Sequence, residues 1–234
     1  MAVMDLNPLW ISLKTALVAT AITFILGIII ARWMARHEFK GKSLLDGIFI
    51  LPLVLPPTVV GFILLWILGR NGWLGSLFFE IGRPVVFSWS ATVIAAAVVS
   101  FPLMYQTARG AFEQIDANIE DAARTLGASE WTIFWRVTIP MAWPGIAAGT
   151  ILAFARSLGE FGATLMLAGN IPGRTQTIPV AIYFLVGGGR QQQAVIWVLV
   201  ILLISLASIV ALNYWKKYQR RFSSHPVREV TADS

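Results

Sequence analysis

The sequence predicts an all-α, polytopic membrane protein of about five transmembrane helices with one polar helical element between two of them. Three observations carry this. Of 234 residues, 57% are hydrophobic and only 13% charged, with mean hydropathy +0.72. Soluble domains carry about 25% charged residues, so the chain has too little polar surface to fold in water. Five apolar runs reach the roughly 20 residues that a span needs. One long polar stretch, Glu113 to Gly145, interrupts them.

The runs are Leu9 to Trp33, Leu44 to Leu68, Trp89 to Tyr105, Met141 to Leu165 and Ala194 to Trp215. The first has no basic leader and no small-residue cleavage site, so it is expected to be a retained span. Lys14 near its end is long enough to snorkel. The second carries Pro52, Pro56 and Pro57. Each removes a backbone donor and crowds the preceding turn, so a kinked or broken helix is expected. Either a packing kink or a place on a watery pathway fits such a break. Ile178 to Val186 is apolar but too short to cross, and is expected as a short helix against one mouth of the bundle.

Basic residues orient the runs. Arg32, Arg36, Lys40 and Lys42 fill the first connection, Arg109, Arg124 and Arg136 the third, and Lys216, Lys217, Arg220, Arg221 and Arg228 the tail. The alternate connections hold only Arg70, Arg83, Arg174 and Arg190. The positive-inside rule then places the N-terminus outside and the C-terminus in the cytoplasm. The net charge of +6 flanks apolar runs instead of forming a patch on a soluble domain, so nucleic acid is not expected as a partner. The chain reads as one domain, 1–234, with a tail of about 222–234 expected to be disordered.

Glu113 to Pro140 reads as helix, glycine, helix. Ile115, Ile119, Ala122, Ala123 and Leu126 recur at helical spacing. Asp116 caps the start and Gly127 ends it. Ser129 caps a second short helix running toward Val137, and Pro140 and Pro144 close the unit. On the assigned topology it lies in the cytoplasm.

The chemistry-bearing residues are few. There is no cysteine and no GxxxxGK[ST] phosphate loop, so the chain is not expected to hydrolyse ATP or to be an enzyme. His37 and His225 lie in basic segments without a ligand pattern. Arg156 and Glu160 are the charges deep in the fourth span, four residues apart, and are expected to share a helix face. Intramembrane charges mark pathways or tie helices together, and both readings stand at this point. Gly145, Gly149, Gly159 and Gly162 on the same span point to close helix packing.

Asp121-Ala122-Ala123-x3-Gly127-x9-Val137-x-Ile139-Pro140 resembles the E-A-A-x3-G-x9-I-x-L-P signature of importer permeases of the ATP-binding-cassette class, with three conservative departures. Phe154 to Ala163 (FARSLGEFGA), Asn170 to Pro179 and Leu51 to Pro57 resemble the molybdate permeases of that class over nearly the whole chain. Sulfate permeases share a related segment but have an extra N-terminal span. The resemblance implies a type I importer permease fold. It also implies a homodimer in the bacterial cytoplasmic membrane, two cytoplasmic ATPase subunits carrying ATP and Mg, and an external oxyanion-binding protein. It assigns ATPase coupling to Asp121, Ala122, Ala123, Gly127, Val137, Ile139 and Pro140. The translocation pathway expected from these segments comprises Arg156, Ser157, Glu160, Pro52, Pro56 and Pro57. No cofactor or metal is expected in the chain itself.

Overall fold

The computed structural model describes residues 5–223, all helix and connections with no strand among them. Eleven helices run in the order α1 Asn7–Arg36, α2 Lys42–Val54, α3 Pro57–Leu68, α4 Gly75–Glu80, α5 Trp89–Glu113, α6 Ala117–Thr125, α7 Glu130–Ile133, α8 Ile139–Leu158, α9 Gly162–Ala168, α10 Ile178–Gly187 and α11 Gln191–Ser223. A π-helical stretch, Phe134–Thr138, joins α7 to α8 without a break. Four helices are long and apolar enough to cross a membrane, and α2 with α3 makes a fifth, bent by 114°. The residues expected in the disordered tail from 224 onward lie outside the described residues.

α5 is the central post. Of its apolar stretch 67% is buried, against 11% for that of α11. Small residues make this possible. Ala91, Ala95, Ala96 and Ala108 are buried on α5, and Ala16, Ala19 and Ala31 on α1. In lipid there is no hydrophobic force between helices, so close backbone approach supplies the packing. Gly27 shows how close: a Cβ there would lie 2.7 Å from Met104 Cγ. Thr15 and Thr92 exchange a 3.0 Å hydrogen bond across the same seam. Lys14 Nζ sits 4.0 Å from the ring centre of Trp89, at the start of α5.

Three expected boundaries move. The third span continues past Tyr105 to Glu113, because Tyr105 and Arg109 find a partner in Asp46 of α2. The fourth span begins at Glu130 and ends at Leu158, well short of Leu165. Gly159 ends it, and the chain restarts as α9. Pro144 closes nothing: it lies inside α8, where its missing N–H is tolerated one turn into the membrane helix. α10 is the short apolar helix expected, held by a 2.8 Å bond from the Ile178 N–H to Ser12 Oγ.

The second span breaks where three prolines predict, though not at all three. Pro52 is accommodated inside α2. The break falls at Leu55–Pro56, and Pro57 opens α3. α2 packs on the half of α5 that holds Phe101 and Tyr105, and α3 on the half that holds Ala91 and Ala95.

Candidate functional site

The element at 113–140 is built as its residues dictate. Asp116 accepts a 2.9 Å bond from the Asn118 N–H and starts α6. Gly127 ends it at φ +80°, a conformation that L side chains rarely adopt. The Ala128 N–H reaches the Ala123 carbonyl at 3.1 Å and the Gly127 N–H the Arg124 carbonyl at 2.9 Å, the double closure of a Schellman turn. Among the described residues nothing lies within 4 Å of a Cβ built on Gly127, so the constraint there is conformational and not steric. The Thr132 N–H then donates to Ser129 Oγ at 3.3 Å, opening α7.

α6 has two faces. On one, Ile119, Ala122 and Leu126 stand in solvent, Leu126 being 88% exposed. An apolar edge left uncovered on a polar helix is suited to a protein partner. On the other, Glu120 is buried and held from three directions. Arg32 Nη2 donates to its Oε1 at 2.7 Å, Thr138 Oγ1 donates to the same oxygen at 2.6 Å, and Arg36 donates to Oε2. Burial works against the Glu120 charge, but the hydrogen bonds from Thr138, Arg36 and Arg32 outweigh it and hold its carboxyl below the usual carboxylate range. Arg36 also donates to Glu130 at 3.1 Å. Arg124 donates to Glu130 and to Asp121, each at 2.5 Å, and these bonds, Glu130's first, hold its guanidinium above its ordinary range. Asp121 therefore has a partner in its own chain, while its side chain stays 65% exposed. Val137 and Ile139 are half-buried and Pro140 is exposed at the start of α8.

The intramembrane pair is placed differently from expectation. Arg156 lies in the last turn of α8, but Glu160 lies beyond its end, so the two do not share one helix face. Gly159 stops the helix before a further turn can form. The chain folds back enough that Arg156 Nη1 still meets Glu160 Oε2 at 2.8 Å. Glu160 is 2% exposed, and its Oε1 accepts the Ala163 N–H at 2.8 Å, which caps α9. Ser157 is buried, and among the described residues its hydroxyl has no hydrogen-bond partner.

The two broken spans meet. A Cβ on Gly162 would lie 3.1 Å from Pro57 Cβ, and one on Gly61 would lie 2.7 Å from Ala163 Cα. Pro57 is thus beside the Glu160 turn, Pro56 is exposed next to it, and Pro52 is elsewhere, lining a groove with Ile22 and Phe101. Gly145 and Gly149 press on Ala111 and Thr107 of α5. Among the described residues no cluster of His, Asp or Glu is arranged to hold a metal ion.

A membrane-rooted bundle presenting a capped, glycine-hinged polar helix is the arrangement expected of a transport subunit, and comparison with known proteins agrees. The model of the family described as "Binding-protein-dependent transport system inner membrane component" matches residues 15–222. This chain belongs to that family. It is 47% identical over 213 residues to the "Putative molybdenum transport system permease protein YvgM" of Bacillus subtilis (strain 168), covering 91% of this chain and 94% of the relative. It is 45% identical to "Molybdenum transport system permease protein ModB" of Escherichia coli (strain K12), covering 88% and 93%. A "Probable sulfate transport system permease protein cysT" of Chlorokybus atmophyticus is 39% identical over 87% of this chain and 71% of its own. In fold, the chain is similar to a bacterial ABC transporter involved in import of the acidic polysaccharide alginate. The TM-score is 0.72 at 18% identity, over 95% of this chain and 81% of that one. The MetNI methionine ABC transporter gives 0.66 at 15% identity, over 91% and 96%. The chain is a multi-pass inner-membrane component of an importer of this class.

Within this family member, the sequence located the signature but not its root. Glu120, Arg32, Arg36 and Thr138 come from three segments up to 106 positions apart. The available signal was the acid-rich stretch lying on the same side as the basic first connection.

Proposed function

We propose that this chain is the membrane-spanning subunit through which molybdate crosses the cytoplasmic membrane, as a homodimer driven by ATP on two separate ATPase subunits. The observation that carries the reading is the near full-length similarity to molybdenum transport permeases at 42–47% identity. The rooted helix α6 adds a physical means of coupling. Its uncovered face of Ile119, Ala122 and Leu126 is the surface for the ATPase, and its Glu120 face passes the displacement to α1 and α8. Asp121, Ala122, Ala123, Gly127, Val137, Ile139 and Pro140 form this coupling element. In this assignment the α6 end is cytoplasmic, the N-terminus is outside, the C-terminus is inside, and a loaded binding protein docks on the far mouth.

Arg156 and Glu160, with Ser157, Pro56 and Pro57 beside them, are assigned to the pathway at the meeting of the two broken spans. A guanidinium donates well to a tetrahedral oxyanion, and the Glu160 carboxylate balances it when no anion is present. The decisive experiment is reconstitution of the chain with its ATPase and binding protein in vesicles. ATP-dependent accumulation of molybdate is expected. Accumulation without nucleotide, as an ATP-independent carrier would show, refutes the reading. Sulfate is a second reading, favoured by the similarity to a sulfate permease, and tungstate a third of the same geometry. The same vesicles rank the three.

A further inference from the structure

A cavity of about 490 Å3 lies between α5 and α8, at the α6 end of the bundle. Its polar lining is Gln106, Thr107 and Gln114, and Met141, Gly145 and Ala148 form the opposite wall. Among the described residues no ionised side chain lines it. The adjacent acid, Glu113, is tied to Arg109 at 2.7 Å. Gln106 and Gln114 are exposed, and among the described residues neither amide has a hydrogen-bond partner. Gly110 beside them looks onto open space. Gln106 stands on α5 and Gln114 just past its end; a free carboxamide is costly against lipid, so the Gln106 face meets water, a ligand or a protein.

The α8 wall gives the direction. Met141, Gly145, Ala148, Leu152 and Arg156 follow one another at spacings of four, three, four and four, one stripe of the helix. Ala148 and Arg156 are about 12 Å apart along it. The stripe therefore leads from the cavity to the intramembrane arginine.

We propose that this cavity is a second waypoint for the tetrahedral oxyanion, a neutral vestibule that receives it from Arg156 and releases it at the α6 end, with Gln106 and Gln114 as its donors. This rests on the transport reading given above. The chemistry is graded. A charge-assisted bond from guanidinium is roughly twice as strong as one from a neutral amide. A dianion held by Arg156 needs a site strong enough to draw it on and weak enough to let it go. Carboxamide N–H groups meet that need, whereas a second arginine would retain the anion and a carboxylate would repel it.

The test is a charge series at Gln106 in the assembled transporter, with ATP-dependent uptake of molybdate and of sulfate read in vesicles. Gln106→Asn keeps a neutral amide on a shorter arm and is expected to lose less kcat/KM than Gln106→Glu does. Gln106→Glu is expected to lower kcat/KM roughly ten-fold or more, since like charges at close range repel strongly in a partly dry site. Gln106→Arg is expected to lower KM and kcat together, because the anion enters and leaves slowly. A contact between two copies of the chain does not split the parameters in this way. Equal losses for Glu and Arg overturn the proposal in favour of such a contact, and wild-type kinetics for both overturn it outright. If wild-type vesicles accumulate neither anion, the transport reading itself falls and takes the vestibule with it. If they accumulate one and the series is flat, only the vestibule falls.

Discussion

Replacing Glu120 by alanine tests the root of α6. The change removes one carboxylate and strands two donors, Arg32, 14% exposed in its side chain, and the fully buried Thr138 hydroxyl, while Arg36, 30% exposed, keeps only Glu130. Breaking one side of a buried ion pair costs about 3–5 kcal/mol. Arg36 is close enough to water to recover part of this, so the attachment of α6 loses about 2–4 kcal/mol. That corresponds to an opening equilibrium raised roughly 30- to 1000-fold. Hydrogen exchange on the chain in lipid nanodiscs reads it directly. The Ile119 to Leu126 amides should exchange faster by that range, while the buried amides of α5 keep their protection. Glu120→Gln keeps an acceptor for Thr138 and Arg32 and should lose less. Unchanged exchange of α6 in Glu120→Ala would show that the carboxylate does not hold the helix, and the coupling route through α1 would go with it.

Gly127→Val puts a β-branched residue at φ +80°, a strain of about 1–3 kcal/mol. The turn should open and ATP hydrolysis should lose its coupling to uptake, measured as anions moved per ATP; an unchanged ratio contradicts the role of the turn. The Glu120 carboxyl is held below its ordinary value of 4.5. A depressed acid stabilises the folded arrangement above its unfolded pKa and ceases to do so as pH falls through its folded one. A spin-label distance between α6 and α1 should therefore stay flat from neutral pH down to about 5 and lengthen only below the usual carboxylate range. Arg156→Ala leaves Glu160, 2% exposed, without its partner, and should destabilise the protein by about 3–5 kcal/mol. Adding Glu160→Gln to it should restore much of the loss, because the amide oxygen still caps α9. Thermal unfolding in detergent compares the two variants, and equal melting points would deny the pair a structural part.

Each span was legible in the sequence because a bilayer demands a long apolar run, and that demand is written locally. Asp116, Gly127 and Ser129 were legible for a similar reason: caps and left-handed turns are decided by the residue that makes them. What escaped was set at a distance. The Arg156–Glu160 spacing invited a shared helix face, but Gly159 ends α8 between them, and only packing of Gly162 on Pro57 decides that the chain restarts there as α9. Nothing local singles out Glu120 among the charges of the 113–145 stretch; its partners Arg32, Arg36 and Thr138 come from elsewhere in the chain. Pro52, Pro56 and Pro57 carry the same local signal, and which of them interrupts the helix is settled by neighbours on α9.

Pro56 and Pro57 have no N–H to lend across the first interruption, and Gly162 rests on Pro57 at the second. The two discontinuities thus lie side by side, with α3 packed on α9 beyond them. Under the transport role proposed above, a change of shape in the bundle is expected to bend at this joint, where the backbone of both spans is already interrupted.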